Sequence, residues 1–465
     1  MNAGATPNIA VNDESVDGNL RVGQRGEIVR IVGVLAAVVL CAFWMFDRAP
    51  VSHAGGDSLW VLHTSASMVS DRDLDLSEYS PLIDGYVTQP PPHLMEVNGR
   101  RFDYFPWGGS LVAVPFVSVA AAATNITGGD VRSTLRTTLP IVTLERQVAS
   151  LIGAVTVGMM YLLVFLRLRS VRWAVGLALL FAFGTGVMST TTRNMWTQGP
   201  ALLVASLVLV VAQLLASRRG AISPLDRCLA AAAGLLVVLA YATRPSTALL
   251  VPLMAVVAWQ RGAARLVGVF LGSTALAFVG FVIVNLRTYG EWLPPYYRDR
   301  LAFSSSFGQA LLANLVSPGR GLLIWSPFLL IGVVWCIYRW RDSTLLERLV
   351  VAWSFGHLLV ISAFPHWWGG ASVGPRLMLD VVPGLVLLLT APIAVMRSQA
   401  PTFSLSAARG SLVVLLVLGL WAGFVNTRAA YRMSVMLWNW PSERGPSIEE
   451  DPDRVWDWSD PQFLR

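Results

Sequence analysis

The chain has 465 residues, of which 54% are hydrophobic and only 14% charged, with a formal net charge of +7. A soluble domain carries about a quarter charged residues, so a single soluble core is excluded. No lysine occurs; all 35 basic residues are arginines that punctuate long apolar runs, not the single basic face that nucleic-acid binding requires.

In chain order, residues 1–28 are polar and glycine-containing, and are expected to form a disordered cytoplasmic tail. Apolar runs then predict membrane spans near 29–46, 146–166, 171–190, 198–216, 228–242, 246–259, 266–285, 322–338, 349–364, 377–396 and 410–427. A further apolar stretch, 109–123, is short for a crossing. Arginine placement decides its role, because short cytoplasmic loops attract basic residues. With 109–123 lying in the interface, the cytoplasmic turns hold Arg167, Arg169 and Arg172; Arg218, Arg219 and Arg227; Arg261 and Arg265; Arg339, Arg341 and Arg348; and Arg397 and Arg409. If 109–123 crossed, nearly all of these would move outside. The expectation is an all-α integral membrane protein with about eleven spans over 29–427, its N-terminus cytoplasmic and its C-terminus outside.

Three segments are then long and non-cytoplasmic: 47–145, 286–321 and 428–465. Loops of such length usually carry function. In the first, the apolar spacing after Ser58 predicts an amphipathic helix on the membrane surface. Asp57 precedes it beside Gly55 and Gly56, either as a catalytic carboxylate or as a helix N-cap. Further on, Asp103 and Tyr104 precede a Pro-Trp-Gly-Gly turn, which reads as a functional loop or as an ordinary loop-to-helix junction. Asn125-Ile126-Thr127 matches the glycosylation sequon. The tail 428–465 carries four tryptophans and several acids, and either caps the outer site or packs on the membrane.

Four arginines oppose the positive-inside bias: Arg193 in STTTRNMWTQGP, Arg244 in ATRPS, Arg320 in SPGRGLLIWSP and Arg376 in WWGGASVGPRLMLD. Guanidinium groups bind carboxylate or phosphate bidentately. Each could be a structural ion pair, Arg376 with Asp380 four residues on. Four beside one acidic loop point to an anionic ligand. His366, Trp367 and Trp368 with Gly369 and Gly370 form an outer turn whose aromatics either stack on a sugar or anchor in the interface. Cys41, Cys228 and Cys336 fall inside spans, and no cluster has zinc spacing.

These segments resemble the GT-C superfamily of polytopic glycosyltransferases, which includes protein O-mannosyltransferases and the aminoarabinose transferases acting on lipid A. The carriers are GDSLWVLHTSASMVSDRDLDL, YFPWGGSLVAVPF, TRPS, SPGRGLLIWSP and WWGGASVGPRLMLDVVP. In similar bacterial sequences the first motif often reads Gly-Asp-Glu; here Ser58 replaces the second acid. The resemblance implies a GT-C-like fold with interfacial helices in the first outer loop, and a membrane glycosyltransferase of the plasma membrane acting on its outer face. It implies a polyprenyl-phosphate-linked sugar donor and inverting transfer to an acceptor hydroxyl on a glycan, lipid or protein. Asp57 would be the general base. Arg244, Arg320 and Arg376 would bind the donor phosphate. Asp103, Tyr104, His366, Trp367 and Trp368 would hold acceptor or sugar. No cofactor and no nucleic-acid partner are expected, and a divalent metal is left open. A lipid-linked-sugar transporter or flippase, which would need charged groups through the bundle, and a surface-polysaccharide polymerase or ligase are the competing readings.

Overall fold

The computed structural model describes residues 13–53, 55–126, 131–137, 141–298, 303–397, 402–443 and 445–465. Long apolar runs close every backbone hydrogen bond within the segment, which is the solution a bilayer demands. The principal helices are α1 (Asp13–Arg48), α2 (Val61–Ser70), α3 (Gly108–Ile126), α4 (Val142–Leu168), α5 (Val171–Gly184), α6 (Gln198–Ser217), α7 (Pro224–Thr243), α8 (Leu250–Tyr289), α9 (Phe307–Val316), α10 (Leu329–Tyr338), α11 (Leu345–Ser362), α12 (Arg376–Arg397) and α13 (Thr402–Tyr431). Among the described residues, eight helices are long and apolar enough to cross a membrane. The chain is a polytopic helical membrane protein. Helices α6 and α12 are mostly enclosed, whereas α1, α8 and α13 are mostly exposed. The exposed faces remain apolar, for example Leu276 and Val279 on α8 and Leu416 and Leu420 on α13, as lipid contact requires.

The long helix α8 joins the two expected spans 246–259 and 266–285. It bends where they were expected to part, at Gly262 and at Ala263, whose φ is +46°. Arg261 secures the bend by donating to Gly220 O, Ala221 O and Asp226. Two expected spans are interrupted. The 171–190 run stops at Gly184 and resumes as a π-turn, Val187–Thr191. The 322–338 run breaks at Ser326-Pro327 between Leu322–Trp325 and α10, because proline cannot donate to the helix ladder. The two breaks meet, with Ser326 Oγ donating to Gly184 O at 2.8 Å.

Two parts of the first outer loop differ from the purely helical expectation. Leu94–Val97 and Arg100–Asp103 pair as antiparallel strands β1 and β2. Their turn is Asn98-Gly99, both with positive φ, a strong hairpin signature in sequence. Helix α1 begins at Asp13, within the 1–28 stretch that precedes the first expected span. Once a span has nucleated, each added helical residue costs little. Residues 1–12 and Thr127 of the sequon lie outside the described residues.

Contacts place the helix ends at two poles. At one, Arg167 at the end of α4 pairs with Glu347 at the start of α11, and Arg397 at the end of α12 donates to Leu168 O. Asp226 and Glu347 complete capping boxes with Ser223 and Thr344. The other pole carries the first outer loop, the start of α6, the α7–α8 junction, the end of α11 and the start of α12.

Close approach at this second pole requires glycine at position 108. A Cβ there would lie 2.3 Å from the Ala242 carbonyl carbon. Gly108→Val should therefore push α3 off α7 and cost about 1–3 kcal/mol, seen as a lower melting temperature in detergent. Gly280→Val, where nothing lies within 4 Å, should leave melting nearly unchanged.

Candidate active site

The site begins where α1 ends. The last carbonyls of a helix lack intrahelical partners, and here the fully buried Arg193 supplies them. Its Nη1 donates to Ala49 O at 2.8 Å and Val51 O at 3.4 Å, and its Nη2 donates to Phe46 O. His53 N in turn donates to Arg193 O at 3.0 Å. With 49–53 fixed, Gly55 (φ +101°) and Gly56 (φ +55°) turn the chain through conformations that glycine adopts readily. Asp57 thereby points inward. The N-cap of α2 is Trp60, so Asp57 does not cap that helix. Its Oδ2 accepts from Arg376 Nη2, and its Oδ1 lies 4.0 Å from His93 Nε2.

Arg376 opens the turn leading into α12. It also donates from Nη1 to Gly369 O at 3.1 Å, and its guanidinium lies 3.8 Å from the centre of the Trp196 ring. Gly374 precedes it with φ +60°, and a Cβ there would meet the Trp325 ring at 2.9 Å. Arg244, in extended conformation between α7 and α8, places Nε 3.0 Å from Asp380 Oδ2. Asp380 is fully buried and also accepts from Ser246 Oγ at 2.9 Å. The carboxylate that could have paired with Arg376 along its own helix thus belongs to Arg244. The Gln198 amide is oriented by its neighbours: with its oxygen toward the arginines, it accepts from Arg244 Nη1 and from Arg376 Nε, the latter at 2.9 Å.

These groups line one cavity of about 990 Å³, at the upper end of the size usual for small-molecule sites. Asp57, Arg244, Arg376 and His366 stand on its wall, joined by His53, His93, Trp196, Gln198, Tyr296 and Glu449. Burial, aided by the charges of Arg193 and Arg376, pulls the His53 imidazole down to about 3, so it is neutral. Apolar side chains complete the wall, including Phe303, Val360, Met433 and Leu437. Among the described residues, no group of three or more His, Cys, Asp or Glu is placed to hold a metal ion.

The remaining expected site residues lie behind that wall. Arg320, expected to bind phosphate, spends its donors on protein: Nε on Trp368 O, Nη1 on Gly319 O and Gln462 Oε1, and Nη2 on Gly370 O and Asn439 Oδ1. It clamps the 366–370 turn to the C-terminal tail, which consequently caps the cavity. Trp367 is buried with Trp438 and Ile448, and Trp368 Nε1 donates to Glu449 at 3.4 Å. Tyr104 packs edge-on against Tyr296. Asp103 is buried one layer back, accepting from Phe105 N at 3.0 Å. Burial, reinforced by the charge of Asp57, pushes its carboxyl from 3.8 up to about 8.

Sequence reasoning missed Gln198 and Trp196. Both stand in the WTQGP run that begins three residues after Arg193, an arginine it did single out. A polar pair at the start of an otherwise apolar span was the available signal. His53 and His93 carried no signal beyond being histidines in the right loop.

No protein-family model matches the chain, and no curated protein matches it. Among solved structures it is similar to ArnT from Cupriavidus metallidurans bound to undecaprenyl phosphate, at 15% identity over 87% of this chain and 75% of that one, with a TM-score of 0.48. At that level of likeness neither activity nor residue roles carry across.

Two outcomes follow from the clamp and the buried acid. Arg320→Ala should free the tail: limited proteolysis should cut within 440–465 faster than in the parent, while the spans stay protected. Asp103 keeps its proton in the folded state, whereas the unfolded chain releases it above about pH 4. Its contribution to stability is therefore full below that pH and is lost as pH rises to about 8. Asp103→Asn should raise the melting temperature clearly at pH 8 and little at pH 4.5.

Proposed function

We propose that the cavity is the active site of a GT-C-type membrane glycosyltransferase. In this reading it transfers a sugar from a polyprenyl-phosphate-linked donor to an acceptor hydroxyl, with inversion, on the outer face of the plasma membrane. The observation that carries the reading is the meeting of Asp57, Arg376 and Arg244 on one wall. The Asp57 carboxylate and two guanidinium groups face a partly apolar cavity at a single pole of a membrane-spanning bundle. A phosphate leaving group needs preorganised positive donors, and a hydroxyl nucleophile needs a base within hydrogen-bond reach. The outer location is supported by arginine placement. The opposite pole carries Arg167, Arg218, Arg261, Arg339 and Arg397 in its short turns, the pattern of a cytoplasmic face.

In the proposed reaction the acceptor oxygen bonds to the anomeric carbon while its proton passes to Asp57. The bond from that carbon to the phosphate oxygen breaks, and the electron pair leaves on the polyprenyl phosphate beside Arg376 and Arg244. Arg320 is removed from the expected phosphate set, because its donors are held by the 366–370 turn and the tail. Asp103, Tyr104, Trp367 and Trp368 shape the wall from behind, and His366 alone of the expected turn residues faces the sugar space.

The test is transfer of radiolabelled sugar from polyprenyl-phosphate donors by the purified protein in lipid. Asp57→Asn should lower transfer by about 10²–10⁴-fold while the protein stays folded, its melting temperature falling by no more than the loss of the charge on the Arg376 pair accounts for. Parent-like turnover in that variant would remove Asp57 from the role of base. Absence of transfer from every polyprenyl-phosphate sugar, and of binding to polyprenyl phosphate, would remove the glycosyltransferase reading.

A further inference from the structure

Arg244 and Arg376 come from different helix junctions, and each has its own carboxylate, Asp380 and Asp57. The ion pairs alone do not set the spacing between the two guanidinium groups. Two like charges on one cavity wall repel, so a fixed spacing between them calls for a partner that they share. Gln198 is such a partner. Its side chain is buried at the first residue of α6, and its one amide oxygen accepts from Arg244 Nη1 and Arg376 Nε. Thr197 Oγ1, the residue before it, accepts from Arg244 Nη1 at 3.4 Å. Trp196, one further back, lies under the Arg376 guanidinium. Three consecutive residues at the head of α6 therefore hold both cations.

We infer that Gln198 is a positioning residue that yokes Arg244 and Arg376 into one phosphate-binding pair. The inference rests on the functional reading above and deepens it by naming what makes the site select a phosphate monoester or diester. The side chain must be neutral for this. A dipole satisfies the inner donors of both guanidinium groups and leaves their charge available to a ligand. A carboxylate at the same place would hold the arginines as firmly but would cancel charge that the ligand needs. Glutamine and glutamate have nearly the same shape, so Gln198→Glu separates a positioning role from a merely structural one.

The experiment measures undecaprenyl phosphate binding to the protein in nanodiscs, together with the melting temperature, for the parent, Gln198→Glu and Gln198→Met. Undecaprenol without phosphate and inorganic phosphate serve as separate probes for the lipid and the anion. In Gln198→Glu, melting should stay equal or rise while affinity for undecaprenyl phosphate falls at least about tenfold, since charge-assisted bonds to phosphate are lost. Undecaprenol binding should not change. Gln198→Met keeps the volume without the dipole, and should weaken phosphate-dependent binding as well. Inorganic phosphate should protect the arginines from phenylglyoxal in the parent and not in Gln198→Glu. Parent-like affinity in both variants, or a loss of affinity that merely tracks a loss of melting temperature in both, would overturn the inference while leaving the transferase reading in place. A parent that binds neither undecaprenyl phosphate nor inorganic phosphate would overturn both.

Discussion

A buried charge must be paired, and at the cavity wall that constraint is met along one line: Asp57, Arg376, Gln198, Arg244, Asp380. These five side chains come from the first outer loop, the start of α6, the α7–α8 junction and the turn into α12. Losing one partner of a buried pair strands the other at a cost of about 3–5 kcal/mol, so each of these segments is fixed by the rest. The line runs from the half-exposed Asp57 to the fully enclosed Asp380. It is the polar spine on which the cavity wall is hung, and the apolar helices serve mainly to bring its members within reach.

Arginine does different work at the two poles. At the pole of the short turns, Arg167, Arg218 and Arg261 pair with Glu347 and Asp226, and both carboxylates also complete capping boxes. Charge there closes helix ends. At the cavity pole, two of the four arginines that oppose the sequence bias face the cavity, and the other two bind backbone. Arg193 gathers the carbonyls ending α1, and Arg320 gathers those of the 366–370 turn. A guanidinium has five donors in a fixed fork, which suits it equally to phosphate and to a convergent set of carbonyl oxygens.

That double aptitude explains which parts of the site were legible in sequence. The helical membrane class, the individual helices, the parting of 246–259 from 266–285, and the candidacy of Asp57, Arg244 and Arg376, which meet on one cavity wall, follow from apolar runs and the placement of charge, both local signals. Arg320 looked identical to Arg376 by those signals. Its burial against Trp368, Asn439 and Gln462 depends on segments more than forty residues away, and no local pattern encodes that. Gln198 was invisible for the complementary reason, since a neutral side chain leaves no mark on charge placement. The β1–β2 hairpin, by contrast, is marked in the sequence by Asn98-Gly99, a turn signal within a chain that otherwise reads as helix. The interruptions near Gly184 and Pro327 likewise show in the sequence as a glycine pair and a proline inside apolar runs.

The clamp at Arg320 also bears on the order in which the molecule can mature. Asn439 and Gln462 both follow the last apolar helix in the sequence. The bundle can therefore be fully inserted while one side of the chamber is still open and Arg320 still lacks two of its acceptors. Closure waits for the polar tail to dock. Docking of that tail, and not helix packing alone, is then the step that turns an assembled bundle into a finished chamber.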